Sequence, residues 1–442
     1  MTRDMTEGAI TPLLIKFTIP LVLGNLFQLC YNAADSMIVG RFVGETALAA
    51  VGTSSPLMTL AILFISGMCM GAGVLMGMHY GARDYETLER QISSTMIGGV
   101  CFAVLLSLAC IFFTPQLLGL IRTQEEVLPI ATEYLRIIFS GLVFTFIYNF
   151  YASTLRALGD SRSPLYFLMI SAMLNIAGDL FFVVVLKWGS NGCALSTVIS
   201  EALCCLLCGL YIRKKVGILC LGKKWLIFDL TLFKKTVSYG WVSAMQQATV
   251  QLGKIGIQAI VNTMGVSAMA AFAAVNRIDD FAYTPEQNIG HAMTAFLAQN
   301  KGAGKKERIR AGFRCGLAIE TAYAIGICLV CFLFARPLME LFADDTEVIG
   351  LGVSYLRAIA VMYLLPAYTN GIQGYFRGMG DLKVTLMSSF VNMGVRVAAA
   401  VLLVLFTDLG IVSLPVAYLI GWVAMLLAEV PLLFWQRRMD CV

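Results

Sequence analysis

The sequence predicts an all-α membrane protein of twelve transmembrane helices in two pseudo-symmetric six-helix lobes. Three observations carry this. The 442-residue chain is 59% hydrophobic and only 13% charged, with a mean hydropathy of +0.80, whereas soluble proteins carry about 25% charged residues. Its apolar runs reach about 20 residues or more, the length of a spanning helix rather than of a barrel strand. A shift of 221 positions lays the second half on the first without a gap. Gly44 falls on Gly265, Gly81-Ala82 on Gly302-Ala303, Tyr134-Leu135-Arg136 on Tyr355-Leu356-Arg357, and Asn149 on Asn370. Arg156, Gly159 and Asp160 fall on Arg377, Gly380 and Asp381. An internal repeat in so apolar a chain is the mark of a transporter made of two related bundles.

The expected spans are 13–38, 47–78, 91–113, 127–153, 164–187 and 192–213 in the first half. In the second they are 234–261, 267–299, 309–334, 347–375, 384–407 and 410–435. The first carries Pro20 and follows Arg3, Asp4 and Glu7, a pattern expected of a first span rather than a cleavable signal. Spans 2 and 8 open after Gly44 and Gly265. The 2–3 and 8–9 connections hold Arg83, Arg90 and Lys301, Lys305, Lys306, Arg308. Spans 4 and 10 end at Leu155-Arg-Ala-Leu-Gly-Asp160 and at Arg377-Gly-Met-Gly-Asp381. The only long connection lies between spans 6 and 7. It combines six lysines and Arg213 with Trp225, Leu226, Ile227 and Phe228, and reads either as an interfacial helix tethering the halves or as a solvated basic linker. The expected division is an N-terminal lobe at 1–215, a cytoplasmic linker with that interfacial helix at 216–235, and a C-terminal lobe at 236–442.

With the N-terminus in the cytoplasm, cytoplasmic connections hold most of the 32 lysines and arginines. The outer ones hold Arg41, Arg122, Arg136, Lys187, Arg336 and Arg357 beside Glu125, Glu126, Asp344, Asp345 and Glu347. This bias places both termini inside. Six spans per half insert both copies in the same sense, so their symmetry axis runs along the membrane normal.

Composition also excludes. Most of the 13 cysteines sit in apolar runs as small hydrophobes, and with only His79 and His291 no cluster has zinc spacing. The net charge of +5 reflects connecting segments and implies no nucleic-acid partner. There is no P-loop, no His-Glu-x-x-His and no Gly-x-Ser-x-Gly, so neither an enzyme nor a self-contained ATP-driven pump is expected. No cofactor is expected beyond a coupling ion.

Ionisable groups inside a span cost at least about 2.5–3.5 kcal/mol each and so locate function. Asp35 lies six residues before Arg41, about 9 Å below the outer surface, and Asp179 lies eight before Lys187, at about 12 Å. Asn175 shares a helix face with Asp179, and Thr197 sits at about 9 Å on the next helix. Two carboxylates, an amide and a hydroxyl at one level suit Na⁺ or a shared proton. Taken singly, each polar group also fits a kink cap or an interhelical bond. Asn149 lies nearer the cytoplasmic side and fits a pocket floor. Span 8 adds Asn276, Arg277, Asp279, Asp280, Glu286 and Gln287, with Arg277 and Asp280 spaced either to pair or to line a polar cavity. Lys254 and Arg396 are single intramembrane cations. Candidate substrate contacts are Gln28, Tyr31, Met68, Arg277, Asp280, Tyr283, Asn370 and Arg396.

These residues sit in motifs with a family likeness: Pro20-Leu-Val-Leu-Gly-Asn25, Asp35-Ser-Met-Ile-Val-Gly40, Leu48-Ala-Ala-Val-Gly52, Leu155 to Asp160, Asn300-Lys-Gly-Ala-Gly304 and Gly371 to Asp381. Across both halves the chain resembles the MATE-type multidrug and toxic-compound extrusion transporters. The resemblance implies two lobes around a central V-shaped cleft and Na⁺- or H⁺-driven antiport of organic cations. It implies a cation site of Asp35, Asn149, Asn175, Asp179 and Thr197. In the expected cycle, neutralisation of that site lets helix 1 bend near Pro20. Some members add a helix-7 Glu and helix-10 acids. This chain departs there, with Gln246, Gln247 and Gln251 on helix 7 and no acid from Tyr363 to Tyr375.

The expected function is therefore cation-coupled export of organic cations by a monomer in the cell membrane. A lipid-linked oligosaccharide flippase of the same superfamily is the alternative, and a membrane-embedded enzyme a remoter one. The repeat also fails informatively. Asp35 maps to Gly256, and aligning Asn175 on Asn392 sets Asp179 against Arg396. Ion coupling is thus expected in the first copy and substrate contacts in the second.

Overall fold

A computed structural model describes residues 4–121, 123–216 and 227–439. Helices α1 (Ile10–Phe42), α2 (Glu45–Gly81) and α3 (Tyr85–Leu120) are followed by α4 (Leu128–Ser140) and α5 (Leu142–Ala157). Then come α6 (Arg162–Asp179), a π-helix (Leu180–Val185), α7 (Gly189–Lys215) and α8 (Leu230–Val261). The second half holds α9 (Val266–Gly302), α10 (Lys306–Leu333), the short α11 (Ala335–Glu340), α12 (Thr346–Ala360) and α13 (Leu364–Gly378). It closes with α14 (Leu382–Phe406), a 3₁₀ turn and α15 (Ser413–Met439).

Every expected span has a helical counterpart, but four are not straight α-helices. Spans 4 and 10 are the bent pairs α4–α5 and α12–α13, turning through 45° and 48°. Span 5 changes from α to π after Asp179, and span 12 opens as a 3₁₀ turn. Among the described residues, eight helices are long and apolar enough to cross a membrane by themselves, and the two bent pairs bring the number to ten. The remaining two, α8 and α9, are 32 and 37 residues long but too polar for that measure. Their amides and charges make the difference, and most of those face a cavity described below. The expected interfacial helix falls largely on 217–226, outside the described residues.

Helix starts are fixed by acids in the connections. Asp84 accepts from the Thr87 amide, Asp229 from the Thr231 and Leu232 amides, and Asp345 from those of Glu347 and Val348. Each answers N–H groups that a first helical turn leaves free. The 221-residue repeat is also conformational. Gly44 and Gly265 have φ of 116° and 95°, Gly159 and Gly380 of 83° and 73°, and Gly189 and Gly410 of 61° and 56°. The matching turns thus use the same left-handed geometry, which only glycine adopts without strain.

The chain divides into two compact units: Met1–Asp4 with Ile19–Ala244, and Met5–Thr18 with Met245–Val442. The boundaries fall inside α1 and α8, and the expected start of the C-terminal lobe at 236 also falls inside α8.

In the first unit Phe139, Phe146, Phe150 and Leu155 are fully buried, with the Phe146 and Phe150 rings stacked at 5.9 Å. Gly67 and Gly71 let α2 meet α8 backbone to backbone. A Cβ on Gly71 would stand 2.4 Å from the Gly240 nitrogen. Small residues four apart give such close crossings inside membranes, where packing and polar bonds replace the hydrophobic drive. Gln91 and Thr95 on α3 both bond Thr236 on α8.

In the second unit Phe272, Tyr355, Leu356 and Tyr363 form the core. Here α9 crosses α13 at Gly290 and Gly374. A Cβ on Gly374 would lie 2.7 Å from the Gly290 carbonyl oxygen. This contact presents Asn370, Gln373 and Arg377 of α13 to a cavity. The chain start is tied down in the same unit. The Met5 amide donates to Gln299 Oε1 at 2.9 Å, and Arg308 donates to the carbonyls of Met5, Glu7 and Gly8.

Candidate ion and substrate sites

The first site depends on how tightly α6 meets α7. A Cβ on Gly178 would stand 2.4 Å from Ser196 Oγ, and one on Gly192 would stand 3.1 Å from the Phe182 carbonyl carbon. At that separation side chains bond directly across the pair. Asn175 Nδ2 donates to Thr197 Oγ1 at 3.2 Å and to Ser196 Oγ at 3.4 Å, while Ser196 Oγ donates to the Asn175 carbonyl at 2.8 Å. Thr197 Oγ1 donates in turn to the Cys193 carbonyl at 3.1 Å.

One turn further, at the last α residue before the π-helix, Asp179 is fully buried. Its carboxylate, that of Asp35 on α1 and the Cys193 thiol lie within 4.8 Å of one another. Both Asp179 oxygens, Asp35 Oδ1 and Asn175 Oδ1 are buried without a hydrogen-bond donor. Neither acid forms an ion pair with a described residue. Two apposed carboxylates with no counter-charge cannot both remain bare in a low-dielectric interior. The arrangement suits a shared proton or a small monovalent cation held by oxygen ligands. The π turn begins where Asp179 ends α6, a local irregularity of the kind that recurs at functional positions. Sequence reading did not single out Cys193 and ran span 5 as unbroken α to 187.

Beside this cluster the first unit encloses a cavity of about 240 Å³. Gln28 and Tyr31 of α1, Asn149 of α5, and Asn175 and Thr197 line it. Asn149 does not reach the carboxylates. Its Nδ2 donates to the Thr145 carbonyl of its own helix at 2.8 Å. Pro20 lies on the wall inside an unbroken α1. The wall also carries Glu201, which sequence reading missed and which accepts from Thr145 Oγ1 at 2.5 Å. The available signal was its place one turn beyond Thr197 on the same face. Met68, expected at a substrate surface, is instead buried, with its backbone against Gly240 of α8.

The second unit encloses a larger cavity of about 450 Å³. Gln246, Gln247, Gln251 and Lys254 of α8 face Asp279, Asp280 and Tyr283 of α9, Asn370 and Arg377 of α13, and Asn392 and Arg396 of α14. Tyr283 donates to Asn370 Oδ1 at 3.5 Å. Arg396 Cζ stands over two rings, 4.1 Å from the Tyr418 centroid and 5.0 Å from that of Trp422. Arg277 differs from expectation. It is exposed, off the cavity wall and not paired with Asp280. Arg377 differs too. Read from sequence as a cytoplasmic loop cation, it is a buried residue of α13 on the cavity wall. Its repeat mate Arg156 lines the cavity of the first unit. Glu286, Glu320 and Glu429 are fully buried without a donor. Of these, Glu320 and Glu429 stood unremarked inside their apolar runs.

The MatE family model matches residues 20–181 and again 243–402, once in each copy of the repeat. The chain belongs to the MatE family. Among similar proteins, the probable multidrug resistance protein YoeA of Bacillus subtilis (strain 168) is 30% identical over 430 residues, covering 95% of this chain and 92% of the relative. The multidrug export protein MepA of Staphylococcus saprophyticus is 22% identical over 383 residues, covering 83% and 80%. The fold of this MatE chain matches that of solved MATE transporters. An outward-facing multidrug resistance MATE family transporter of the MOP superfamily superimposes with a TM-score of 0.91 at 21% identity, covering 100% of this chain and 99% of that one. A MATE in the bent conformation gives 0.92 at 22% identity, covering 100% and 98%. The family and the apolar helices make this MatE chain a multi-pass membrane protein.

Proposed function

We propose that this MatE chain exports organic molecules, cationic ones foremost, in exchange for Na⁺ or H⁺. One observation carries the reading: the buried Asp35–Asp179 pair without a counter-charge, beside Asn175, Thr197 and an adjoining cavity. The names of relatives as multidrug resistance and export proteins support the direction of transport.

In the proposed cycle the carboxylate pair takes up the cation in one state and releases it in the other. Neutralisation changes the balance around α1, which bends near Pro20, and the wall loses its hold on a cationic substrate at Glu201. A substrate and an ion that compete for one state exchange by linkage, with no nucleotide needed. The chain acts as a monomer in the cell membrane with both termini cytoplasmic, following the excess of lysine and arginine on that side.

Ethidium-loaded proteoliposomes with an imposed Na⁺ or pH gradient test the reading. One gradient should drive ethidium movement that collapses with a matching ionophore. Movement indifferent to both gradients would exclude coupled export.

A further inference from the structure

The polarity of the larger cavity does not match a purely cationic ligand. Arg377, Arg396 and Asn370 are each more than nine-tenths buried on its wall. Arg377 Nε, Arg396 Nε and Asn370 Nδ2 find no acceptor among the protein's own groups. These three donors come from two helices, α13 and α14, and converge on one cavity. Lys254 adds a third cation from α8. None of the three cations is ion-paired with a described residue, and only Asp279 and Asp280 oppose them on the wall. A buried donor without an acceptor is unfavourable, more so when charged, and that cost is recovered when an acceptor-rich group arrives. Arg396 is also pre-set. Its Cζ rests over the Tyr418 and Trp422 rings, cation–π contacts that position the guanidinium on the wall while its Nε stays without an acceptor.

We propose that the cavity of the second unit binds an acidic group, a carboxylate or a phosphate ester, on an aromatic or amphipathic organic molecule, with Arg396 and Arg377 as its donors. Asn370 adds a neutral donor and Lys254 a diffuse positive charge. The Tyr418 and Trp422 rings beside the guanidinium, set edge to face at 74°, suit a ring attached to the acid. The acids Asp279 and Asp280 leave room for an amine on the same molecule, so zwitterions fit and simple cations use only part of the wall. The proposal depends on the export reading only for calling this ligand a transport substrate.

Calorimetric titration of the full chain in detergent tests it with two matched pairs. Coumarin-3-carboxylate is compared with coumarin-3-carboxamide, and 4-methylumbelliferyl phosphate with 4-methylumbelliferone. The acidic member of at least one pair should bind about ten-fold or more tighter, since charge-assisted bonds contribute about 1.5–3 kcal/mol. The pair with the larger preference identifies the source of the group. Arg396→Gln should erase the preference, and Arg396→Lys should keep part of it. Equal binding of both members in both pairs overturns the proposal, as does a preference that survives Arg396→Gln. If neither variant folds, the wild-type ratios decide. Binding needs no gradient. A protein that binds these acids but moves no solute across a membrane keeps this inference and loses the export reading.

Discussion

Asp35 on α1 and Asp179 at the end of α6 stand with their carboxylates within 4.8 Å, although 144 residues separate them. Neither has a counter-charge among the described residues, and the Cys193 thiol joins them at the same range. A purely structural pair of this kind is unfavourable, because each carboxylate raises the cost of the other. The proposed assignment of ion coupling to the first unit rests on this pair.

Thr197 ties the amide of Asn175 to α7. Thr197→Val keeps the shape but removes the acceptor for Asn175 and the donor to the Cys193 carbonyl. A neutral hydrogen bond contributes about 1 kcal/mol, so stability should fall by about 1–2 kcal/mol. Transport should need several-fold more coupling ion for half-maximal rate. Melting curves and ion titration of transport read the two effects separately. An unchanged ion requirement would remove Thr197 from the site.

Glu201 accepts from Thr145, and the amide of a glutamine offers the same carbonyl acceptor. Glu201→Gln should therefore change stability by less than about 1 kcal/mol. It should weaken ethidium binding about ten-fold by removing a partly desolvated charge. Fluorescence titration of the purified variant checks this, and wild-type ethidium affinity would place the cationic contact elsewhere.

Gly374 has no room for a side chain, since a Cβ would meet the Gly290 oxygen at 2.7 Å. Gly374→Val forces α9 and α13 apart and should cost more than about 3 kcal/mol through overpacking. Yield of monodisperse protein and its melting temperature are the readouts. Gly326 packs nothing within 4 Å of its Cβ position, and Gly326→Ala on α10 should stay near wild type.

Arg308 donates to three carbonyls of the first residues. Arg308→Ala should release that segment from the second unit. Faster hydrogen exchange of the amides from Met5 to Gly8 would register it, with the interior of α10 unchanged. Equal exchange rates would mean that Gln299 and Asn300 hold the segment without Arg308.

The helices were legible because apolar length is a property of single segments. Turn positions such as Gly159 and Gly380 were legible because the repeat marks them twice. The carboxylate pair was half legible. Depth counted from Arg41 and Lys187 put Asp35 and Asp179 at one level, but not within reach of each other. The π turn after Asp179 and the contact of Gly178 with Ser196 decide that, and neither has a local signature. Arg377 was misplaced because a cation close to a motif end reads as a loop residue, whereas the close crossing of α13 over α9 buries it. Glu201, Glu320 and Glu429 were missed because single acids in apolar runs were weighed only where they formed a spaced pattern.

The most direct test is gradient-driven ethidium transport by Asp35→Asn and Asp179→Asn in proteoliposomes, with melting temperature measured on the same preparations. Each change removes one of two like charges, so both variants should melt at or above the wild-type temperature. Coupled transport should fall to the level of empty liposomes. Stable variants that still move ethidium against its gradient at the wild-type rate would contradict the assignment of ion coupling to this pair.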